Sequence, residues 1–306
     1  MATLSKATLF DPKVVNDLID GVYGHSSIAA LSAQKPVAFN GNKEFIFTLD
    51  NEVDIVAENG AKSHGGATVT AKTIVPIKVE YGARVSDEFM YASEEEQLDI
   101  LRAFADGAAK KVARGLDIMA FLGVNPRTGT ASTIIDDNCF ATGVTNNVTY
   151  SSTDPDGNVS AAIALLDADA DATGVAMSKD FQSALAAQTE DGKKLYPQLA
   201  WGAKVSEING LRVDTNSTLS FNSSTLKAVV GDFEGRFKWG IAKEIPLEVI
   251  PYGNPDNSEA GDLKGHNQVY LRCEVYIGWA ILDPTAFAKV TAAANGGAEG
   301  GNGGQS

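Results

Sequence analysis

The stretch SDEFMYASEEEQLDILRAFADGAAKKVARGLDIMAFLG, residues 86–123, limits the possible architecture more than any other. Leu98, Leu101, Ala105, Ala108, Val112, Leu116 and Met119 recur at helical spacing from about Ser93 to Leu122. Glu94, Glu95, Glu96 and Asp99 come before Lys110, Lys111 and Arg114, a charge order that suits the helix dipole. At about 1.5 Å per residue such a helix is roughly 40 Å long, more than a small domain requires. It must either break at Gly107 or Gly115 or lie along something of equal length, and the unbroken helix in an elongated domain is the expectation.

A matching element stands near the C-terminus. NQVYLRCEVYIGWAIL, residues 267–282, alternates Val269, Leu271, Cys273, Val275, Ile277 and Trp279 against Tyr270, Arg272, Glu274 and Tyr276. Its dozen or so residues extend to roughly 40 Å. GRFKWGIAKEIPLEVI, residues 235–250, alternates Phe237, Trp239 and Ile241, then Ile245, Leu247 and Val249. A long sheet beneath a long helix gives both apolar faces a partner, and the three aromatic residues then fill a core or a subunit interface.

Ahead of the helix comes a segment that cannot bury itself. Phe45, Phe47 and Leu49 point one way, the alternation restarts at Val53 and Ile55, and the chain enters AENGAKSHGG, residues 57–66. The return leg puts Val75, Ile77, Val79 and Tyr81 on one face. A two-stranded ribbon whose distal half is Gly, Ala, Ser, Thr and Lys is marginal alone in water and needs a surface to rest on. Lys62, Lys72, Lys78 and Arg84 give it a mildly basic side in a chain of formal net charge -14.

The rest is a mixed α+β pattern. DPKVVNDLIDGVYG, residues 11–24, offers one short helix with Asp11 as cap and Pro12 at its first position, which must lie against another part of the chain or a neighbour. Turn signals in NPRTGTAS and SSTDPDGN precede a helix in NVSAAIALLDA, a buried strand in TGVAMS, and a helix in KDFQSALAAQTEDGKKL with Phe181, Leu185 and Leu195 facing inward. The final AANGGAEGGNGGQS forms no core and is expected to be a flexible tail.

Chemistry is scarce. His25, His64 and His266 are scattered and form no HExxH pair, and no G-x-G-x-x-G, phosphate-loop or G-x-S-x-G signature occurs. Asp87 with Glu88, Glu94 to Glu96, and Asp136 with Asp137 read as helix ends and turns. DADADATG, residues 167–174, lacks the Gly and Glu positions of a calcium loop. Cys139 and Cys273 read as buried free thiols, no segment has the length to cross a bilayer, and the acidic balance opposes sequence-reading of DNA. No catalytic, cofactor or metal residue is assigned.

In order and spacing, the ribbon DNEVDIVAENGAKSHGGATVTAKTIVPIKVEYGARVSDEF, the helix through ILRAFADGAAKKVARGLDIMAFLG, and the closing AVVGDFEGRFKWGIAKEIPLEVI and NQVYLRCEVYIGWAILDPTAFAKV resemble the HK97-like major capsid proteins of tailed bacteriophages. The resemblance covers nearly the whole chain. It implies an N-terminal arm over 1–40, an extended E-loop ribbon with its base over 41–82, and a peripheral domain over 83–159 with a spine helix at about 93–122. It further implies an axial domain over 160–260, a returning peripheral strand and final axial segment over 261–292, and the tail over 293–306. Asn59, Lys62, His64 and Lys72 would then lie in E-loop contacts between subunits, and Glu94, Glu95 and Arg114 in packing within a capsomer.

As an activity the resemblance implies assembly and no catalysis: hexamers and pentamers of one chain closing into an icosahedral shell around phage double-stranded DNA in the bacterial cytoplasm. It implies no cofactor and no membrane, with a separate scaffold or none, and with portal and decoration proteins as further partners. Encapsulin-like compartment shells share the fold. A metal-dependent hydrolase using the aspartate-rich segments, or a surface-binding module using exposed aromatics, are the competing readings.

Overall fold

The structure, a computed structural model, describes residues 25–49 and 52–293. The helix expected at 11–24 and the Gly-rich tail from 294 onward lie outside the described residues. In chain order the elements are α1 (Ser27–Leu31), β1 (Asn42–Leu49), β2 (Ala67–Ile74), β3 (Ile77–Ser86), α2 (Glu94–Leu122), α3 (Phe140–Gly143), β4 (Asn147–Thr149), α4 (Pro155–Ala164), β5 (Gly174–Ser178) and α5 (Lys179–Ala187). They continue through β6 (Thr189–Glu190), β7 (Lys193–Lys194), β8 (Glu207–Ile208), β9 (Leu211–Asn216), β10 (Leu226–Gly231), β11 (Phe237–Ile250), β12 (Gln268–Ile281) and β13 (Phe287–Thr291). Two compact units divide the chain, one formed by residues up to 116 with 234–283, the other by 117–233 with the residues from 284.

In the first unit β12 lies between β11 and β3, antiparallel to both. The β11–β12 ladder runs from Phe237↔Ile281 to Ile250↔Tyr270, with irregularities between Ile241 and Lys243 and between Ile245 and Glu248. The second falls around Pro246, which has no N–H to give the ladder. Phe237, Trp239 and Trp279 are buried, as their alternation predicts. The polar alternates of β12 do not simply face water, however. Tyr270 and Glu274 are buried as well, and Glu274 is held by Lys78 at 2.8 Å and Arg272 at 3.5 Å. A central strand has neighbours on both edges and here is covered on both faces, so its polar positions need partners inside the fold.

Helix α2 is continuous through Gly107 and Gly115 over 29 residues, about 43 Å. A reciprocal cap starts it: the Ser93 hydroxyl accepts from the Glu96 N–H at 3.3 Å, while the Glu96 carboxylate accepts from the Ser93 N–H at 3.2 Å. Leu101 and Ala108 of this helix pack with Leu247, Val269, Leu271 and Cys273, the helix-on-sheet core that the matched lengths predict.

The described part of the N-terminal segment packs on its own unit. Ser26 caps α1, Ile28 and Leu31 are buried, the Trp239 indole N–H donates to the Ser32 carbonyl at 2.9 Å, and the Lys35 N–H donates to the Trp239 carbonyl at 2.9 Å. This close approach depends on two glycines that face each other across the ladder, Gly240 and Gly278. A Cβ on Gly240 would stand 1.9 Å from the Lys35 carbonyl oxygen, and one on Gly278 would stand 2.9 Å from Ile74 Cγ2. The exit of the N-terminal segment and the base of the ribbon therefore share one glycine notch.

The second unit is built on a six-stranded sheet of order β4-β13-β10-β5-β9-β8, with β4–β13 and β5–β9 parallel and the other pairs antiparallel. Its core joins Ala162 of α4 and Phe181 and Leu185 of α5 to Val175, Met177 and Val230 of the sheet. Phe121, Phe140, Phe233 and Phe287 form a ring cluster with centroid separations of 5.1 to 5.6 Å. Residues 234–260, expected with 160–233, fall instead in the first unit, because β11 makes its whole ladder with β12. Conversely β13, at 287–291, pairs with β10 and β4 in the second unit. Leu195, expected to face inward, is exposed because α5 ends at Ala187 and the chain leaves through the β6–β7 turn.

Candidate assembly surface

The ribbon gives its unit an apolar face that none of the described residues covers. Strands β1 and β2 pair antiparallel from Asn42↔Ile74 to Leu49↔Ala67, which sets Phe45 opposite Ala71 and Phe47 opposite Val69. Side chains two apart share a face, so Phe45, Phe47, Leu49 and Val69 form one apolar stripe. Phe45 is 62% exposed and Phe47 66%. Beyond Leu49 the alternation at Val53 and Ile55 makes no strand, and Ile55 is 97% exposed. Burial of each such side chain is favourable by about 1.5–3 kcal/mol, so a contiguous row left in water marks a contact surface.

Its root, by contrast, is firmly held. Ile74 is buried with Val37 and Ala280, Lys238 pairs with Glu44 at 2.5 Å, and the Asn42 side chain accepts from the Ala38 N–H at 2.9 Å and donates to the Pro36 carbonyl at 3.1 Å. The far end is a turn in which the Gly60 N–H donates to the Ala57 carbonyl at 2.8 Å and Asn59 takes a left-handed φ of 65°. Asn tolerates that conformation better than most residues.

Of the residues named from sequence, Asn59, Lys62 and His64 are exposed around this turn, and Lys72 sits on β2 opposite Glu44. Glu95 is exposed in the first turn of α2, and Arg114 is half-buried further along it. Glu94 opens that helix, and its side chain lies outside the described residues. These positions do not converge on one spot.

The basic side expected of the ribbon is smaller than the sequence suggests. Lys78 is engaged by Glu274. Arg84 donates to both carboxylate oxygens of Asp256 at 2.6 and 2.9 Å, to Asn254 at 2.7 Å, to the Gly261 carbonyl at 2.9 Å and to Gln268 at 3.3 Å. Beside that guanidinium the Asp256 carboxyl is held down to about 2. Arg84 thereby ties down the connection between β11 and β12, a role that spacing could not reveal because its partners lie about 170 residues away.

Among the described residues no group of three or more His, Cys, Asp or Glu could hold a metal, and no helix is long and apolar enough to cross a membrane. In the aspartate-rich segment the Asp169 N–H donates to Asp167 at 3.1 Å, a local turn. Both cysteines are buried free thiols, and burial pushes the Cys273 thiol up to about 11. Phe39, Tyr91 and Tyr252 are exposed aromatics that no periodicity places, and so is Trp201, which lies after β7 and before β8 and is fully exposed. The sequence signal that was available is its setting in LAWGAK, which lacks strand alternation.

A profile of the Phage capsid family matches residues 7–292. The chain is similar to a solved structure from Mycobacterium phage Ogopogo at 33% identity, covering 88% of this chain and 92% of that one with a TM-score of 0.73. A structure from Gordonia phage Cozz is 25% identical, covers 88% and 87%, and has the same TM-score of 0.73. The fold also matches a chain described as the capsid of a native GTA particle, at 13% identity, 96% and 93% coverage and a TM-score of 0.57. No curated protein matches the chain. An apolar ribbon stripe that the described residues leave uncovered and a family match over nearly the whole length agree: the chain belongs to the phage capsid family, the HK97-like major capsid proteins that build the virion shell.

Proposed function

We propose that this chain is the repeating subunit of an icosahedral shell, assembling as hexamers and pentamers in the bacterial cytoplasm and enclosing phage double-stranded DNA without reading its sequence. The observation that carries the proposal is the exposed stripe of Phe45, Phe47, Leu49 and Val69 on a ribbon whose root is locked into its own unit. In this reading β1 and β2 form the base of an E-loop, α2 is the spine helix, the unit around β11 and β12 is the peripheral domain, and the unit around the six-stranded sheet is the axial domain. Asn59, Lys62, His64 and Lys72 then contact a neighbouring copy, and Glu94, Glu95 and Arg114 pack within a capsomer. A net charge of -14 suits a wall that does not grip its cargo. A separate scaffold, a portal and an outer decoration protein are compatible partners.

Electron microscopy and light scattering of the purified protein test this. Rings and closed shells are expected, and removal of residues 52–66 should leave the units folded while abolishing closure. Monomers or dimers under every condition, with or without a co-expressed scaffold, would overturn it. Shells that form in infected cells yet protect protein cargo and no DNA from nuclease would move the reading to an encapsulin-like compartment.

A further inference from the structure

Three Asn-Gly pairs lie among the described residues, Asn40-Gly41, Asn59-Gly60 and Asn209-Gly210. Glycine has no Cβ to shield its backbone nitrogen, so in such a pair that nitrogen can reach the side-chain carbonyl of the asparagine before it. The dipeptide is the same each time, and all three asparagines are exposed. What differs is the structure that must open before nitrogen and carbonyl meet, and the pair that opens most often reacts fastest.

Two of the pairs are tied down. At the first, the Gly41 N–H donates to the Ala38 carbonyl at 2.9 Å, and Gly41 holds a φ of 87° with the position of a Cβ 2.8 Å from the Ile74 carbonyl oxygen. The Asn42 side chain clamps Pro36 and Ala38 just beside it. Asn209 and Gly210 form the turn of a hairpin in which Ile208 pairs with Leu211 and Glu207 with Arg212. There the Val213 N–H donates to the Ser206 carbonyl at 2.9 Å, and the Asn209 side chain hydrogen-bonds the Tyr196 hydroxyl. Asn59 has almost none of this. Residues 52–66 join no strand, and the bond of 2.8 Å from the Gly60 N–H to the Ala57 carbonyl is the only hydrogen bond that the described residues give them. It lies at the surface, and it holds Asn59 at a φ of 65°, a left-handed conformation with no steric preference of its own.

We propose that Asn59 is a self-modification site of the unassembled subunit, converted through Gly60 into aspartate and isoaspartate, and that seating of the ribbon on a neighbouring copy slows the conversion. The second half rests on the shell-subunit reading, and the first does not. The Gly60 nitrogen, its proton lost to water, forms a bond to Cγ of Asn59, while the Cγ–Nδ2 bond breaks and the side-chain nitrogen leaves as ammonia. Water then opens the resulting succinimide, at Cγ to give aspartate or at the main-chain carbonyl to give isoaspartate. Either product adds a negative charge next to Glu58, and isoaspartate also lengthens the backbone within the turn.

Peptide-resolved mass spectrometry of subunits held unassembled at mildly alkaline pH reads the reaction, with isoaspartate scored by enzymatic methylation. Asn59 should convert about tenfold faster than Asn40 or Asn209, with isoaspartate among its products. Gly60→Ala should slow it about tenfold, since the added Cβ shields the nitrogen. In closed shells the wild-type rate at Asn59 should fall about tenfold, because a seated turn opens less often. Conversion at Asn59 no faster than at Asn40, or an unchanged rate without isoaspartate in Gly60→Ala, would overturn the site. Equal conversion in shells and in free subunits would overturn the protection and keep the chemistry. Failure of the wild type to form any shell would sink the shell reading and the protection with it, while the free-subunit rates still decide the site.

Discussion

Arg84 illustrates how far a residue's role can depart from its address. By position it belongs to the basic side of a ribbon, but its guanidinium is fully engaged by Asp256, Asn254, Gln268 and the Gly261 carbonyl, and it organises residues 251–267. Arg84→Ala is expected to raise amide exchange across that connection without unfolding the unit. The pair also sets an acid response. Because the Asp256 carboxyl is lowered to about 2 by Arg84, its contribution is complete above the ordinary carboxylate range near 3.9 and is lost as pH falls through about 2. Melting temperatures measured from pH 5 to pH 2 should therefore fall more steeply for the wild type than for Asp256→Asn. A slope unchanged by the substitution would remove Asp256 from the acid transition. The thiols, by contrast, were readable from sequence: two distant cysteines without motif spacing are buried here, and a thiol reagent should label neither until the chain unfolds.

At the scale of elements, periodicity reported what lies along an element and said little about what lies beside it. The 3.6-residue recurrence located α2 within a residue or two of Glu94–Leu122, and the period of two located β11 and β12. Nothing in that pattern tells β11 whether to pair with what precedes it or with β12, so residues 234–260 were expected in the wrong unit. The exposure of the ribbon's stripe was legible from composition, the Gly, Ala, Ser, Thr and Lys of its distal half, and not from period, because Phe45, Phe47 and Leu49 alternate as a buried strand does. Caps and close approaches offer direct tests. Ser93→Ala removes one half of the reciprocal cap and should destabilise by about 1 kcal/mol in denaturant unfolding. Gly240→Ala places a methyl against the Lys35 carbonyl and should cost about 3 kcal/mol or release the segment that carries Lys35, read as new protease sensitivity before Val37. A variant with wild-type stability and no new cleavage would show that the notch can open without penalty.

For the whole molecule, the family match gives a capsid-forming chain built from two compact units. Each has a core of its own, and each leaves large apolar side chains uncovered by the described residues, the ribbon stripe in one and Trp201 and Ile134 among those in the other. Phe45→Ser with Phe47→Ser should leave the melting temperature within about a degree, since surface changes that touch nothing are near neutral, yet prevent shell closure in electron micrographs. A large fall in melting temperature would mean that the stripe is packed within the subunit after all. The acidic surface adds repulsion between copies, so apolar and local opposite-charge contacts must supply the association.

The ribbon's rooted base and uncovered stripe also have a genetic meaning. If the ribbon seats on a neighbouring copy as proposed, a chain with a ruined stripe should still fold, still present an intact surface to the ribbons of others, and so compete for places it cannot complete. Such an allele is a poison and not a null: co-expressed as a minority with the wild type, it should lower the yield of infectious particles far more than its share, whereas an allele that unfolds the core would only dilute the pool.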